Sequence, residues 1–278
     1  MACASSGRAV NRPPPSTLSP PAHGRLRILK FGSSVLREPA SYAAAAAQIA
    51  SEVGSGARVI AVVSALEGQT DALLAAARGV SADPPTHLVA ALLATGEDAS
   101  VSLLVMALAE AGITASTISS WRSPVRTDGP PVDSEPVGVD REALIAELGR
   151  ARVLVVPGFV GIDWRSGAPT LLGRGGSDLT ALALGYWLEA QEVRLLKDED
   201  GIYPADPKRV SGLEPLAEVT CGGARRIGGE VVQEKALLYA DRHGLAFRVA
   251  APGGRGTLVT PDRPVTEAAR PSARPQAA

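Results

Sequence analysis

The chain has 278 residues, enough for one large α/β domain or two small ones, and its 45% hydrophobic and 21% charged residues are ordinary for a globular protein. A net charge of -1 gives no electrostatic reason for a nucleic-acid partner, and no apolar run reads as long enough to span a bilayer. The two cysteines, Cys3 and Cys221, and the scattered His23, His87 and His243 form no disulfide framework, metal-ligand spacing or nucleophile motif, which suits a reducing cytoplasm.

Residues 1–25 are rich in Pro, Ser, Ala and Arg, hold no acidic residue and read as a disordered extension. They lack the apolar segment of a secretory signal, and Pro13 to Pro15 break the amphipathic helix that a transit peptide needs. Residues 27–30 read as a first strand followed by a Gly/Ser turn, and 41–53 as an alanine-rich helix. The run RVIAVVS at 58–64 is continuously apolar, the pattern of a strand covered on both faces. Helices are expected at 71–78 and 87–111, then a strand at 114–119 and a surface loop at 129–136. A strand at 153–156 precedes two short strands, 158–163 and 168–172, which pair as a hairpin across 165–167. A helix at 178–190, a strand at 193–196, a helix at 230–243 and a strand at 246–249 complete the domain, 26–260. Residues 261–278 read as a disordered tail. Alternating strands and helices imply a mostly parallel sheet with helices on both faces.

In such sheets ligands bind beyond the carboxyl ends of the strands, where Gly-rich turns open helices. Two segments qualify. In KFGSSV, the small residues Gly32 and Ser33 let backbone N–H groups approach a phosphate while Lys30 supplies positive charge. In GRGGSD, Gly175 and Gly176 lead into a helix with Ser177 or Asp178 as its cap, an N-terminus suited to an anion. The patterns GxxxxGK[ST] and GxGxxG are both absent, which removes the two commonest nucleotide-binding designs.

The strings GFVGIDWRSGAPTLLGRGGSD and LLKDEDGIYPADPK resemble the central segment of aspartokinases. Ser64-Ala65 with Thr70, the segment LLATGE ending at Glu97, and KFGSSV resemble three further motifs of that family, in the same order. KFGSSVL is equally similar to the opening of glutamate 5-kinases. The resemblance spans residues 28–260 and implies the amino-acid kinase fold, a three-layer α/β/α sandwich around a mainly parallel central sheet. It implies an ATP-dependent kinase that phosphorylates the side-chain carboxylate of aspartate to the acyl phosphate 4-phospho-aspartate, with Mg²⁺ carried by the nucleotide. Lys30 would neutralise the transferred phosphoryl group and Asp178 would orient the lysines around it. Glu97 would hold the substrate ammonium and Arg174 its α-carboxylate, with Ser64, Ala65 and Thr70 lining the pocket. Gly32, Ser33, Gly175, Gly176, Ser177 and the stretch from Lys197 through Asp198, Tyr203 and Asp206 to Lys208 would hold ATP. A homodimer is also implied.

Three departures from the family pattern stand out. The chain stops where paired ACT regulatory domains would begin, so feedback regulation within the chain is not expected. The loop after Lys30 is one residue short. Glu230 occupies the place of a lysine that reaches the ATP phosphates, and Lys197 or Lys235 is expected to supply the missing charge. Two alternatives stay open: KFGSSVL allows another amino-acid substrate such as glutamate, and Glu230 allows a nucleotide-binding partner subunit without catalytic activity.

Overall fold

The computed structural model describes residues 25–205, 210, 212–227 and 231–262. The two expected tails lie almost wholly outside that range, as do Asp206, Lys208 and Glu230. The central sheet begins with β1 (Leu26–Phe31), β2 (Arg58–Val63), β3 (Ala115–Thr117) and β6 (Val153–Pro157). It is completed by β9 (Glu192–Leu196), β10 (Glu218–Thr220), β11 (Phe247–Ala250) and β12 (Thr257–Thr260). The order across the sheet is β10-β12-β11-β9-β1-β2-β6-β3. Every neighbouring pair is parallel except β11 with β12.

Alternation along β1 decides what each face receives. Leu29 and Phe31 point into a core built with Tyr42, Ala45 and Ile49 of α1 (Ser41–Gly54) and Leu104 and Leu108 of α3 (Thr86–Glu110). Ile28 points to the other face, where α5 (Gly176–Leu188) and α7 (Glu234–Arg242) supply Leu179, Leu182, Ala236 and Leu237. Each such fully buried leucine or isoleucine contributes roughly 1.5–3 kcal/mol of transfer free energy. The three-layer expectation holds. Lys30 shares the face of Ile28, so its ammonium runs beneath α5.

The chain leaves β1 through α1 to β2 on one side, and later returns through α5 to β9 on the other. The strand order therefore reverses between β1 and β9, where a crevice opens beyond the carboxyl ends. A second sheet, β5-β4-β7-β8, packs against α5 and α3. It comprises β4 (Val125–Asp128), β5 (Glu135–Val139), β7 (Val160–Asp163) and β8 (Pro169–Leu171). β7 and β8 form the expected hairpin. Val160 and Leu171 pack on Val89, Ala90, Leu93 and Ala94 of α3, with Leu73 and Leu74 of α2 (Gln69–Val80) beside them.

Several elements differ from expectation. Strands β4 and β5 flank the loop at 129–134, and α4 (Arg141–Arg150) and α6 (Cys221–Ile227) add two helices. α7 starts at Glu234 rather than at 230. By length and composition α3 passes for a membrane span, contrary to the sequence reading, but half of its apolar window is buried inside the fold. Its apolarity serves packing on both α1 and β8.

Candidate functional site

The GRGGSD segment turns by backbone geometry. Gly175 is the N-cap of α5 with φ of 73°, and no side chain caps the helix, so the expected capping by Ser177 or Asp178 is not found. Both residues lie in the first helical turn and point inward. Gly158 makes this approach possible: a Cβ there would lie 2.6 Å from Ser177 Cβ and 2.9 Å from the Val63 carbonyl oxygen. The start of α5 is thus pressed against the carboxyl end of β2.

That placement delivers Asp178 to two lysines. Lys30 Nζ stands 2.6 Å from Asp178 Oδ1, and Lys197 Nζ, one residue past β9, stands 2.8 Å from Oδ2. Asp178 is 2% exposed and Lys30 5% exposed, so the cluster is nearly dry and carries an excess of one positive charge. Burial alone would raise the Asp178 pKa, but Lys197 and Lys30 outweigh it and hold the carboxyl down at about 2. Burial pulls Lys30 down to about 8, with Lys197 adding to the effect and Asp178 opposing it. Gly32 closes over this ammonium in the turn that follows β1, where Val35 and Leu36 donate N–H groups to its carbonyl. Ser33 is exposed in the same turn.

Glu97 enters from the middle of α3 and is 2% exposed. It accepts the Ala65 backbone N–H, yet its Oε2 is buried without a hydrogen-bond partner among the described residues. Burial pushes its pKa up to about 8, against the pull of Ala65 and Lys30. A buried carboxylate oxygen left unpaired is costly unless a ligand meets it. The Ser64-Ala65 segment is anchored at both ends. Ser64 N donates to the Phe31 carbonyl at 3.0 Å, and the Ser64 carbonyl accepts from Ser100 Oγ at 2.6 Å. Tyr42 OH lies 2.5 Å from the same Ser100 hydroxyl. Gly96 packs 3.2 Å from the Ala65 side chain, as measured from a Cβ built on it, and Thr70 follows on the first turn of α2.

Arg174 is exposed on the turn that enters α5, with no ion-pair partner among the described residues. Asp198 pairs with Arg37 at 3.2 Å on the surface, and Tyr203 is half-buried. Asp200 is structural: it accepts the N–H groups of Ala251 at 3.1 Å and Arg255 at 3.2 Å, tying the loop after β11 to the loop after β9. Lys235 does not supply charge to the crevice as the sequence reading allowed. Its ammonium is spent on Asp133, Ser134 and Leu172. Ser100, Asp133 and Asp200 were not singled out from sequence; only Asp200, inside KDEDG, carried a visible motif.

Lys30, Gly32, Ser64, Ala65, Glu97, Asp178 and Lys197 therefore meet at the carboxyl ends of β1, β2 and β9. Such a dry, cationic crevice with an unpaired acid on its wall defines a class, and the sequence match agrees: residues 25–250 match the amino acid kinase family, and the chain belongs to it. Within that family it is similar to an aspartokinase of Bacillus sp. (strain MGA3), 32% identical over 239 residues that make up 84% of this chain and 58% of the relative. Aspartate kinase Ask_LysC of Stutzerimonas stutzeri is 31% identical over 85% of this chain and 58% of its own length. The chain spans a little over half the length of these curated relatives. Among solved structures, aspartate kinase from Synechocystis superposes with a TM-score of 0.71 at 29% identity, over 86% of this chain and 40% of that one. Escherichia coli aspartokinase III in complex with aspartate and ADP has the same fold, with a TM-score of 0.75 at 23% identity over 87% of this chain and 65% of that one.

Proposed function

We propose that this chain transfers the γ-phosphoryl group of ATP to the side-chain carboxylate of aspartate, giving 4-phospho-aspartate and ADP. The observation that carries the reading is the buried Lys30–Asp178–Lys197 cluster facing the unpaired Glu97. A carboxylate oxygen attacks the γ-phosphorus while the bond to the β-phosphate oxygen breaks. The attacking group is already ionised near neutral pH, so no general base is required, and positioning with charge neutralisation supplies the acceleration.

Lys30 and Lys197 neutralise the charge on the moving phosphoryl oxygens, and Asp178 holds both ammonium groups in place. Glu97 takes the substrate ammonium, which converts its orphaned oxygen into an ion pair. Arg174 takes the α-carboxylate, and Ser64, Ala65 and Thr70 form the pocket wall. Gly32, Ser33, Gly175, Gly176 and Ser177 border the phosphates, with Asp198 and Tyr203 toward the rest of the nucleotide. Asp206 and Lys208 belong to the same proposal by resemblance. Lys197 fills the role that Glu230 vacates.

Mg²⁺ belongs to the same proposal as an ion carried by ATP oxygens and water, as such a hard cation favours. Bound there, it would supply further neutralisation of phosphate charge. A cytoplasmic location, which the sparse cysteines suit, and a homodimer, which rests on the resemblance, complete the proposal, and sedimentation velocity tests the second.

The test is trapping with hydroxylamine, which converts acyl phosphates to coloured hydroxamates. The protein is incubated with ATP, Mg²⁺ and aspartate, glutamate or N-acetylglutamate. Colour with aspartate alone supports the reading. Colour with glutamate alone moves the substrate one methylene, in keeping with KFGSSVL, and no colour from protein that binds ATP leaves the silent-subunit alternative.

A further inference from the structure

Lys235 is the second residue of α7, far in sequence from every residue assigned above, and its ammonium is fully engaged. It donates to Asp133 Oδ1 at 2.7 Å, to the Leu172 carbonyl at 2.9 Å and to the Ser134 carbonyl at 3.0 Å, with Glu135 Oε1 at 3.2 Å. An ammonium has three hydrogens, and all three are accounted for. Leu172 is the residue before the 173–175 turn that presents Arg174. The same turn is gripped from both sides. Gly173 has φ of 73°, and a Cβ on it would overlap Asp133 Oδ1. Gly175 also has φ of 73°, and a Cβ on it would lie 2.5 Å from Cβ of Gln233, the N-cap of α7. Asp133 and Gln233 are therefore two jaws, and Lys235 joins them: it is bonded to one and stands two residues along the chain from the other.

We infer that Lys235 is a positioning residue for the substrate carboxylate subsite, holding the turn that carries Arg174 at a fixed height over the crevice. The inference rests on the functional reading above only for the identity of what Arg174 binds. Loosening the turn leaves Lys30, Asp178 and Lys197 in place, because their contacts come from β1, α5 and the residue that follows β9. The defect then falls on amino-acid binding. Lys235→Met keeps the length of the side chain and removes its donors. It should raise the amino-acid KM about tenfold or more, with kcat and the KM for ATP within about twofold of wild type. Lys235→Arg restores donors to the same acceptors and should recover most of the loss. Asp133→Asn should raise the same KM, and the double variant should be no worse than the more severe single one, because both act on one contact.

Limited trypsin digestion reads the turn without reference to any substrate. Cleavage after Arg174 should become about tenfold faster in Lys235→Met, while cleavage after the exposed Arg78 on α2 stays at the wild-type rate. Equal cleavage after Arg174 in wild type and Lys235→Met would overturn the inference. Equal acceleration at Arg78 and Arg174, or a fall in kcat with unchanged amino-acid KM, would do the same by showing general loosening. A wild-type protein inactive on every carboxylate would count against the functional reading alone, since the digestion still decides whether Lys235 holds the turn.

Discussion

A Cβ placed on Gly32 would lie 2.9 Å from Lys30 Nζ, closer than side-chain contacts allow. The obstructing atom is the tip of a flexible chain, so the fold can absorb the clash by moving the ammonium. It then leaves its place on Asp178. Gly32→Ala should therefore cost little in thermal stability but lower kcat about 10- to 100-fold, since sub-ångström misplacement of a reacting group is expensive. Differential scanning fluorimetry beside steady-state kinetics separates the two effects.

Asp178→Asn removes the carboxylate between the buried Lys30 ammonium and the half-buried Lys197 ammonium. Leaving like charges unpaired in a dry site costs about 3–5 kcal/mol, and activity should fall at least about 100-fold. The stability deficit depends on pH in a defined way. The Asp178 pKa is lowered from 3.8 to about 2, so its contribution is present above 3.8 and disappears as the pH falls through 2. On the alkaline side the deficit shrinks above about 8, where Lys30 gives up its proton. Urea titrations at pH 3, 7 and 9 should show the largest gap at pH 7.

In the proposed function, Lys197 is the residue that compensates for Glu230. Lys197→Met should lower kcat about 100-fold with a smaller change in the amino-acid KM, and Lys197→Arg should retain part of the activity. Unchanged turnover in Lys197→Met would remove this lysine from the proposed chemistry. The variant should also raise the Lys30 pKa, because Lys197 is one of the groups holding it down.

Glu97 and Lys30 both titrate near pH 8, in opposite senses for function. On the proposed function, rising pH ionises Glu97 and favours capture of an ammonium, then strips Lys30 of the charge needed at the phosphoryl group. The profile of kcat/KM for the amino acid should be a narrow bell centred near pH 8, read as two coupled macroscopic pKa values. Glu97→Gln should lose the rising limb. The stability sign follows from a raised pKa: the wild-type contribution is intact below 4.5 and is lost as the pH climbs through about 8. Glu97→Gln should accordingly gain stability relative to wild type over that interval, measurable by denaturant titration at pH 5 and pH 8.5.

Much of the central sheet was legible because its strands are continuous apolar runs. RVIAVV is buried on both faces, and no amphipathic alternative competes with it. The second sheet was harder. β4 and β5 are short, meet at a bulge near Arg126 and Thr127, and enclose a Pro-rich loop that reads as plain surface. α4 had a usable signal that went unread, Asp140 capping the Ala143 N–H at 3.1 Å. At the site, GRGGSD marked the segment that enters α5, but no side chain caps that helix. Asp178 is drawn inward by two lysines that are distant in sequence, and Gly175 turns the chain without help. The engagement of Lys235 by Asp133 had no sequence signature at all, because it depends on how α7 docks against the 129–134 loop.

The two hydrogen bonds accepted by Asp200 have a consequence for dynamics. One carboxylate protects the amides of Ala251 and Arg255, each through its own oxygen, so loss of that side chain deprotects both. Asp200→Ala should release both amides together, with the exchange change confined to this rim and the amides of β1 left at their original rate.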